Sequence, residues 1–174
     1  MPHIVVKQHI LLDIFDANTQ GGGLGYRCEN LKINNLILKF ETWVTLHWVG
    51  KFDPLIKVHI KETNGFLLLF NLSNKESFNN LKKCYILIKE NILDLSKIPI
   101  LLLGIHADKD NYMVNIDSII MFARENNFIG YIEISSLEGK NVKEAYKFLA
   151  YCIYQINIKK KDLTDIKFKL LFYK

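Results

Sequence analysis

The chain has 174 residues, of which 49% are hydrophobic and 24% charged, and this is the length and composition of one globular domain rather than of a disordered segment. Its three cysteines are widely spaced and form no CxxC pair, so neither a disulfide framework nor a zinc site is indicated. The net charge is +5, but the lysines are scattered, which does not favour a nucleic-acid groove.

No membrane-spanning or secretory segment is predicted. The longest apolar runs, at residues 66–70 and 98–103, are far shorter than the roughly 18 residues needed to cross a bilayer. The first residues lack the charged start, the long apolar stretch and the cleavage site of a signal peptide. No lipid-anchor motif is readable at the carboxyl end. We therefore expect an intracellular, cytoplasmic protein.

In the first half of the chain, the pattern predicts a strand at residues 3–7, a short helical stretch at residues 10–15 and a glycine-rich loop at residues 21–25. An Asn34-Asn35 pair then separates two apolar stretches within residues 31–40, which is typical of a tight β-hairpin. We therefore expect an antiparallel edge on the sheet.

The second half alternates between buried strands and amphipathic helices. Residues 65–72 and 99–105 are apolar almost throughout, as strands covered on both faces of a parallel sheet require. Residues 129–135 form a further strand pattern. Apolar spacings of three and four predict helices at residues 75–91, 113–126 and 142–156. This alternation predicts a three-layer α/β fold with a mostly parallel sheet and one antiparallel edge strand.

The last residues differ from the rest of the chain. Lys159-Lys160-Lys161 is the only dense basic run, and residues 166–170 then alternate apolar and basic side chains. Such alternation is typical of an added edge strand or of a peptide that docks on a partner. We divide the chain into a domain at residues 1–158 and a basic, apolar carboxyl-terminal tail at residues 159–174.

The order of these elements, together with several local sequences, resembles the Ras-like small GTPases and their Rab-like branch in particular. GFLLLFNLSNKESFNNL resembles the family's central strand and next helix start, IPILLLGIHAD its strand ending in GNKxD, and YIEISSLEGKNVKEAYKFL its strand ending in ETSAK with the last helix. The hairpin at residues 31–40 resembles strands two and three. The resemblance covers nearly the whole chain and implies the Ras-like small G-domain fold, with GTP or GDP and Mg²⁺ as cofactors of an active member.

On the base side, the resemblance implies a partial guanine site. Asp108 matches the family's carboxylate that accepts the guanine ring N–H and amine, Ser135 matches its loop serine, and Ser136 stands in place of an alanine whose backbone N–H meets the guanine oxygen. Ile105 and His106 replace the family's Asn and Lys. The alternative interpretation is that Asp108 is a solvated acid that caps the following helix.

On the phosphate side, no match is found. A phosphate loop, GxxxxGK[ST] between a strand and a helix, holds phosphate through backbone N–H groups, a lysine and a Mg²⁺-binding hydroxyl. Neither Gly50-Lys51 nor Gly139-Lys140 fits this pattern, and the loop is expected to be missing directly after Lys7. The glycines at residues 21–25 are interpreted as a flexible connector. The family's DTAGQ would fall near residues 44–49, which contain no acid, glycine or glutamine.

Trp48 is predicted as a candidate interaction residue. In the family, the hairpin and the segment after it form the surface that binds effectors, and Trp is frequent at interface hot spots. Trp48 is expected either in this surface or in the core, whereas Trp43 is expected to continue the buried face of its strand. His47 and His106 are isolated histidines, which we interpret as packing or surface residues.

One main hypothesis and two alternatives follow. We expect a non-enzymatic pseudo-GTPase, without a bound cofactor or metal, that binds an unknown protein effector or joins a complex and acts in vesicle traffic by family resemblance. The first alternative is an atypical GTP-binding switch that hydrolyses GTP. The second is a gene model that lacks the exon encoding the phosphate loop.

Overall fold

The structure, a computed structural model, describes residues 3–13, 23–33, 36–46 and 53–172. Within these residues the chain forms a sheet and four α-helices. The strands are β1 (His3–Asp13), β2 (Gly23–Ile33), β3 (Leu36–Leu46), β4 (Gly65–Asn71), β5 (Ile100–Ile105), β6 (Gly130–Glu133) and β7 (Lys169–Leu171). The helices are α1 (Asp53–Lys61), α2 (Lys75–Asn91), α3 (Ile116–Glu125) and α4 (Val142–Asn157).

The described strands form a seven-stranded sheet in the order β2-β3-β1-β4-β5-β6-β7. All neighbouring pairs are parallel except β2 and β3, which are antiparallel. Ile33 lies opposite Leu36, so only the predicted Asn34-Asn35 pair connects these two strands. The mostly parallel sheet, its antiparallel edge and the hairpin are therefore confirmed.

Helices cover the sheet on both faces, which confirms the three-layer arrangement. Along β4, Phe66, Leu68 and Phe70 are buried on the face covered by α1, α2 and α3, whereas Leu67 and Leu69 are buried on the face covered by α4. Successive side chains of a strand point to opposite faces. A strand with helices on both sides therefore needs the unbroken apolar run that the sequence shows.

Asparagine caps fix where α2 and α3 begin. The Asn74 side chain accepts from the backbone N–H groups of Glu76 and Ser77, at 2.9 and 3.1 Å. Asn115 likewise accepts from two backbone N–H groups at the start of α3. A cap of this kind satisfies donors that the first helical turn leaves unpaired. The prediction of α2 is confirmed over its whole length, and α3 begins three residues later than predicted.

The first half of the chain requires two corrections. Strand β1 continues to Asp13 and its residues 8–13 pair with β4, so the helix predicted from residue 10 is wrong for residues 10–13; residues 14 and 15 lie outside the described residues. Gly23 and Gly25 belong to β2 and pair with β3, so the connector interpretation is wrong for residues 23–25, and residues 21 and 22 lie outside the described residues. Pairing with neighbouring strands outweighs the local pattern in both cases.

The carboxyl-terminal segment adds the strand β7 beside β6. The Lys169 backbone N–H donates to the Ile129 carbonyl at 3.0 Å. Gly130 is required at this contact, because a Cβ atom there would clash with the Lys169 carbonyl. Of the two predictions for residues 166–170, an added edge strand is thus the one confirmed. None of the described helices has both the length and the apolar content needed to cross a membrane.

Candidate functional site

The loops that follow β5 and β6 lie side by side at one edge of the sheet. The Ile134 backbone N–H donates to the Gly104 carbonyl at 2.8 Å, and the Ala107 N–H donates to the Ile134 carbonyl at 3.1 Å. Because β5 and β6 are parallel, their carboxyl ends meet at the same edge. This arrangement brings together Asp108 and Ser135, which are 27 positions apart in the sequence.

Asp108 and Ser135 form a direct hydrogen bond. The Ser135 hydroxyl, which is fully buried, donates to Asp108 Oδ1 at 2.7 Å. This bond is the main reason why the pKa of Asp108 lies below its ordinary value, and the backbone N–H of Asp108, then His106 and Lys109, lower it further. The Asp108 carboxylate is thus held ionised near neutral pH, with one oxygen bonded to the protein.

The loop after β6 closes on itself around Ser135. The Glu138 backbone N–H donates to the Ser135 hydroxyl at 3.2 Å, and the Ser135 N–H donates to the Lys140 carbonyl at 3.2 Å. Gly139 turns the chain with φ +67°, a conformation that side chains rarely adopt. Ser136 lies exposed in this turn, and no hydrogen bond between described residues joins it to Asp108.

The loop after β5 is fixed by backbone contacts on both sides of Asp108. His106 has φ +60°, a left-handed conformation that is uncommon for a residue with a side chain. Its carbonyl accepts from the Lys109 N–H at 3.1 Å, and the Tyr112 hydroxyl donates to the Ala107 carbonyl at 3.0 Å. This turn presents Asp108 at the edge of the sheet. Helix α3 is capped by Asn115, so the alternative that Asp108 caps the following helix is wrong.

Chemically, the Asp108 carboxylate can accept hydrogen bonds from a group with N–H donors. An ionised carboxylate has four acceptor positions, of which Ser135 uses one. Ile105, which replaces the family's Asn, is buried against the α4 face of the sheet and offers no polar group to this edge. No cluster of three or more metal-binding side chains occurs among the described residues.

A second candidate site is an aromatic cluster on the outer hairpin, formed by Tyr26, Trp43 and His59. Tyr26 of β2 lies opposite Trp43 of β3, with 4.8 Å between ring centroids, and His59 of α1 stacks on Trp43 at 4.0 Å with an interplanar angle of 27°. Tyr26 is 49% exposed, and the other two side chains are half-buried. Trp43 lies on the sheet face that α1 covers, but it is half-buried, so the expectation that it continues the buried face of its strand is met only in part.

Sequence reasoning missed Tyr26 and His59. Tyr26 could have been found, because a two-residue turn at Asn34-Asn35 fixes the register that places it opposite Trp43. His59 could not have been found, because α1 was not predicted. The predicted interaction residue Trp48 and the neighbouring His47 lie outside the described residues.

Comparisons with known proteins agree with this architecture. A sequence model of the Ras family matches residues 8–155. The chain is 30% identical to Ras-related protein Rab-11B of Dictyostelium discoideum over 143 residues, which is 82% of this chain and 63% of that protein. It is 36% identical to Rho-related protein racO of the same organism over 124 residues, 63% of this chain and 44% of that one.

Human Ras-related protein Rab-7L1 is 28% identical over 115 residues, 65% of this chain and 56% of that protein. The chain therefore spans between 44% and 63% of the length of these relatives. Since the family model covers most of the chain and the sheet is mostly parallel with one antiparallel edge strand, the chain belongs to the Ras family of small GTPases and resembles its Rab-like branch.

Proposed function

We propose that the chain is a Ras/Rab-like protein-interaction module in which nucleotide binding is lost or weak. The observation that supports this most is the length of the connection between β1 and β2, which has only nine residues, 14–22. The pattern GxxxxGK[ST] alone needs about eight residues, and a helix must follow it. The connection reads IFDANTQGG and has no lysine. Because β1 continues to Asp13, we propose that the phosphate loop is missing after Asp13 and not directly after Lys7 as predicted.

The free energy of the missing phosphate contacts determines how much affinity for nucleotide remains. Charge-assisted hydrogen bonds contribute roughly 1.5–3 kcal/mol each, so four missing phosphate contacts remove on the order of 6–12 kcal/mol. Every ~1.4 kcal/mol is a tenfold change in affinity. Base contacts at Asp108 alone are too few to replace this free energy. The site thus fits a guanine edge in part and does not fit the phosphates or Mg²⁺.

A second candidate function, an atypical GTP-binding switch, is favoured by the hydrogen bond between Ser135 and Asp108. That bond holds the carboxylate in the ionised form that guanine recognition requires. Such a switch would need phosphate ligands from another part of the chain or from a partner. The switch predicts that partner binding depends on the bound nucleotide, whereas the interaction module predicts no such dependence.

The aromatic cluster supports the interaction role. Tyr and Trp are enriched in hot spots because they bury a large apolar area and retain a polar group. Tyr26 leaves about half of its side chain accessible, beside Trp43 and His59. We propose this surface as the docking site for an intracellular protein effector or complex subunit, in vesicle traffic by its resemblance to Rab proteins.

The experiment compares Tyr26→Ala with Tyr151→Ala. The two tyrosines are equally exposed, at 49% and 48%, but Tyr151 lies on α4, which covers the other face of the sheet. Partners cross-linked to the wild-type chain in cells are identified, and one is purified for titration. Tyr26→Ala should weaken its binding by about 2 kcal/mol, roughly thirtyfold, and Tyr151→Ala should not. Equal binding by both variants would exclude the cluster as the docking site.

The same titration separates the two candidate functions. The module predicts one affinity in GTP with Mg²⁺, in GDP with Mg²⁺ and in EDTA. A switch predicts that the partner discriminates GTP from GDP, because only the γ-phosphate distinguishes its two states. A difference of tenfold or more between the nucleotides would replace the module with the switch.

A further inference from the structure

A cavity of about 670 Å³ lies at the opposite end of the sheet from Asp108 and Ser135. Its lining includes Ile100, the first residue of β5, and Phe128, which lies two residues before β6. Asp108 and Ser135, by contrast, follow the last residues of these strands. The cavity is therefore separate from the candidate guanine site and from the aromatic cluster.

The floor of this cavity is apolar and the rim is polar. Tyr85, Ile100 and Phe128 are buried, and the Tyr85 and Phe128 rings meet edge to face at 5.0 Å. Lys89 and Arg124 on the rim are exposed. Half of the lining residues are apolar and half are polar or charged, and the volume falls in the range of roughly 300–1,000 Å³ that is typical of small-molecule sites.

The carboxyl-terminal segment builds one wall of the cavity, with Leu163, Ile166 and Phe168. These residues pack against the core, and the Arg124 guanidinium lies 5.0 Å from the centre of the Phe168 ring. The wall lies beyond residue 155, where the match to the Ras family model ends. The complete cavity is therefore a feature of this chain that the family match does not account for.

The charges around the cavity are balanced. Two cationic side chains, Lys89 and Arg124, face two acidic ones, Glu125 and Asp162, and all four are exposed. No salt bridge joins any of them to another described residue. Because the rim has no net charge, it does not favour an anion or a cation over a neutral molecule. Ser96, Asn126 and Thr164 supply uncharged hydrogen-bonding groups beside the apolar floor.

We propose that this cavity binds a small, uncharged molecule with an aromatic or cyclic body and one or two hydrogen-bonding groups. The partly buried apolar side chains of Leu95, Ile98 and Phe168 contact its body. Because Phe168 and its neighbours form one wall, an occupied cavity also holds the carboxyl-terminal segment in place. The proposal does not depend on the loss or retention of nucleotide binding.

The test uses two fluorescent probes on the full chain. N-phenyl-1-naphthylamine is neutral, and 8-anilino-1-naphthalenesulfonate adds a sulfonate to the same frame. We expect the neutral probe to bind saturably, one per chain, and the sulfonate to improve affinity by no more than threefold. Absence of saturable binding would mean that the cavity holds only water, and it would overturn the proposal. An anionic probe bound tenfold more tightly would overturn the neutral ligand class.

A matched pair of variants places the probe. Ser96 lines the cavity and Ser118 lies on α3 outside it, and both are exposed. The backbone N–H of Ser96 donates to Asp94 and that of Ser118 to Asn115, and the Ser96 hydroxyl also donates to Asp94. Ser96→Trp should fill the cavity and weaken the neutral probe at least tenfold, whereas Ser118→Trp should not. Thr164→Trp, which fills it from the tail side, should repeat the loss. Equal binding by all three variants would place the probe elsewhere and overturn the proposal.

A second readout follows the carboxyl-terminal segment. Trypsin cleaves after lysine, and Lys159, Lys160 and Lys161 lie exposed directly before the wall of the cavity. A saturating neutral probe should slow cleavage there at least threefold in the wild type and in Ser118→Trp, and it should have no effect in Ser96→Trp. If the probe bound without slowing this cleavage, the proposal that an occupied cavity holds the carboxyl-terminal segment in place would be wrong.

Discussion

The two ends of the family's nucleotide site differ in this chain. At the base end, two loops are joined by backbone hydrogen bonds and by the Ser135–Asp108 bond at 2.7 Å. At the phosphate end, nine residues without a lysine connect β1 to β2. The base end consists of loops that the strands of the sheet position and that bond to each other. A phosphate loop, by contrast, makes most of its contacts with the nucleotide. We infer that the Ser135–Asp108 pair stabilises the fold independently of any nucleotide.

The largest expected effect on stability comes from Ser135→Ala. The buried hydroxyl donates to Asp108 and accepts from the Glu138 N–H, so its removal leaves both partners without this bond. Each intramolecular hydrogen bond contributes roughly 0.5–1.5 kcal/mol, so the loss of these two removes about 1–3 kcal/mol. Urea unfolding of the nucleotide-free protein should show a decrease of this size.

Ser136→Ala is the control for that measurement. Ser136 is the adjacent serine but is exposed, and its removal should change the free energy of unfolding by less than about 0.5 kcal/mol. If the two variants were equally stable, the base end would have no structural role, and the comparison between the two ends would lose its explanation.

Gly139→Ala should have an intermediate effect, because it tests the turn that closes the loop around Ser135. The residue has φ +67°, and an added Cβ would meet no atom within 4 Å, so the cost is that of the backbone conformation alone. We expect about 1 kcal/mol of lost unfolding free energy. Gly139→Asn should lose less, since Asn tolerates this conformation better. Equal losses of unfolding free energy in the two variants would show that the left-handed backbone conformation at residue 139 does not cause the loss.

The smallest effect is a pH dependence. Because the pKa of Asp108 in the folded chain lies below its ordinary value, its stabilising contribution is present above the unfolded-state pKa, about 3.9, and disappears as the pH falls through the folded-state value. The free energy of unfolding of the wild type should exceed that of Asp108→Asn near pH 7, and the gap should close below about pH 4. If the difference in unfolding free energy between the wild type and Asp108→Asn widened in acid, the pKa of Asp108 would be raised rather than lowered in the folded chain.

The sequence predicted the second half of the fold better than the first. The strands β4 and β5 are covered on both faces, so their apolar runs are unbroken and mark them clearly. At the start of the chain, Ile10, Leu11 and Leu12 fit a helix or a strand, and only their pairing with β3 and β4 decides between them. Local patterns contain no information about such partners.

The candidate sites show the same limit. Asp108 and Ser135 could be identified because the loops that contain them follow strands with clear patterns. The aromatic cluster needs the register of β2 against β3 together with a helix that was not predicted. The cavity beside Phe168 forms only where four segments meet, from α2 to the tail. Its lining mixes apolar and polar residues of ordinary spacing, and the sequence does not distinguish them from core and surface residues.

The most direct test of the central claim is the nucleotide content and GTP affinity of the full chain. Protein purified without added nucleotide is analysed by mass spectrometry, and GTP is titrated by calorimetry with and without Mg²⁺. We predict far less than one nucleotide per chain and no affinity tighter than about 10 µM, roughly −7 kcal/mol, in either condition. One equivalent of bound GDP, or a tight Mg²⁺-dependent GTP interaction that Asp108→Ala abolishes, would contradict the account and establish the switch instead.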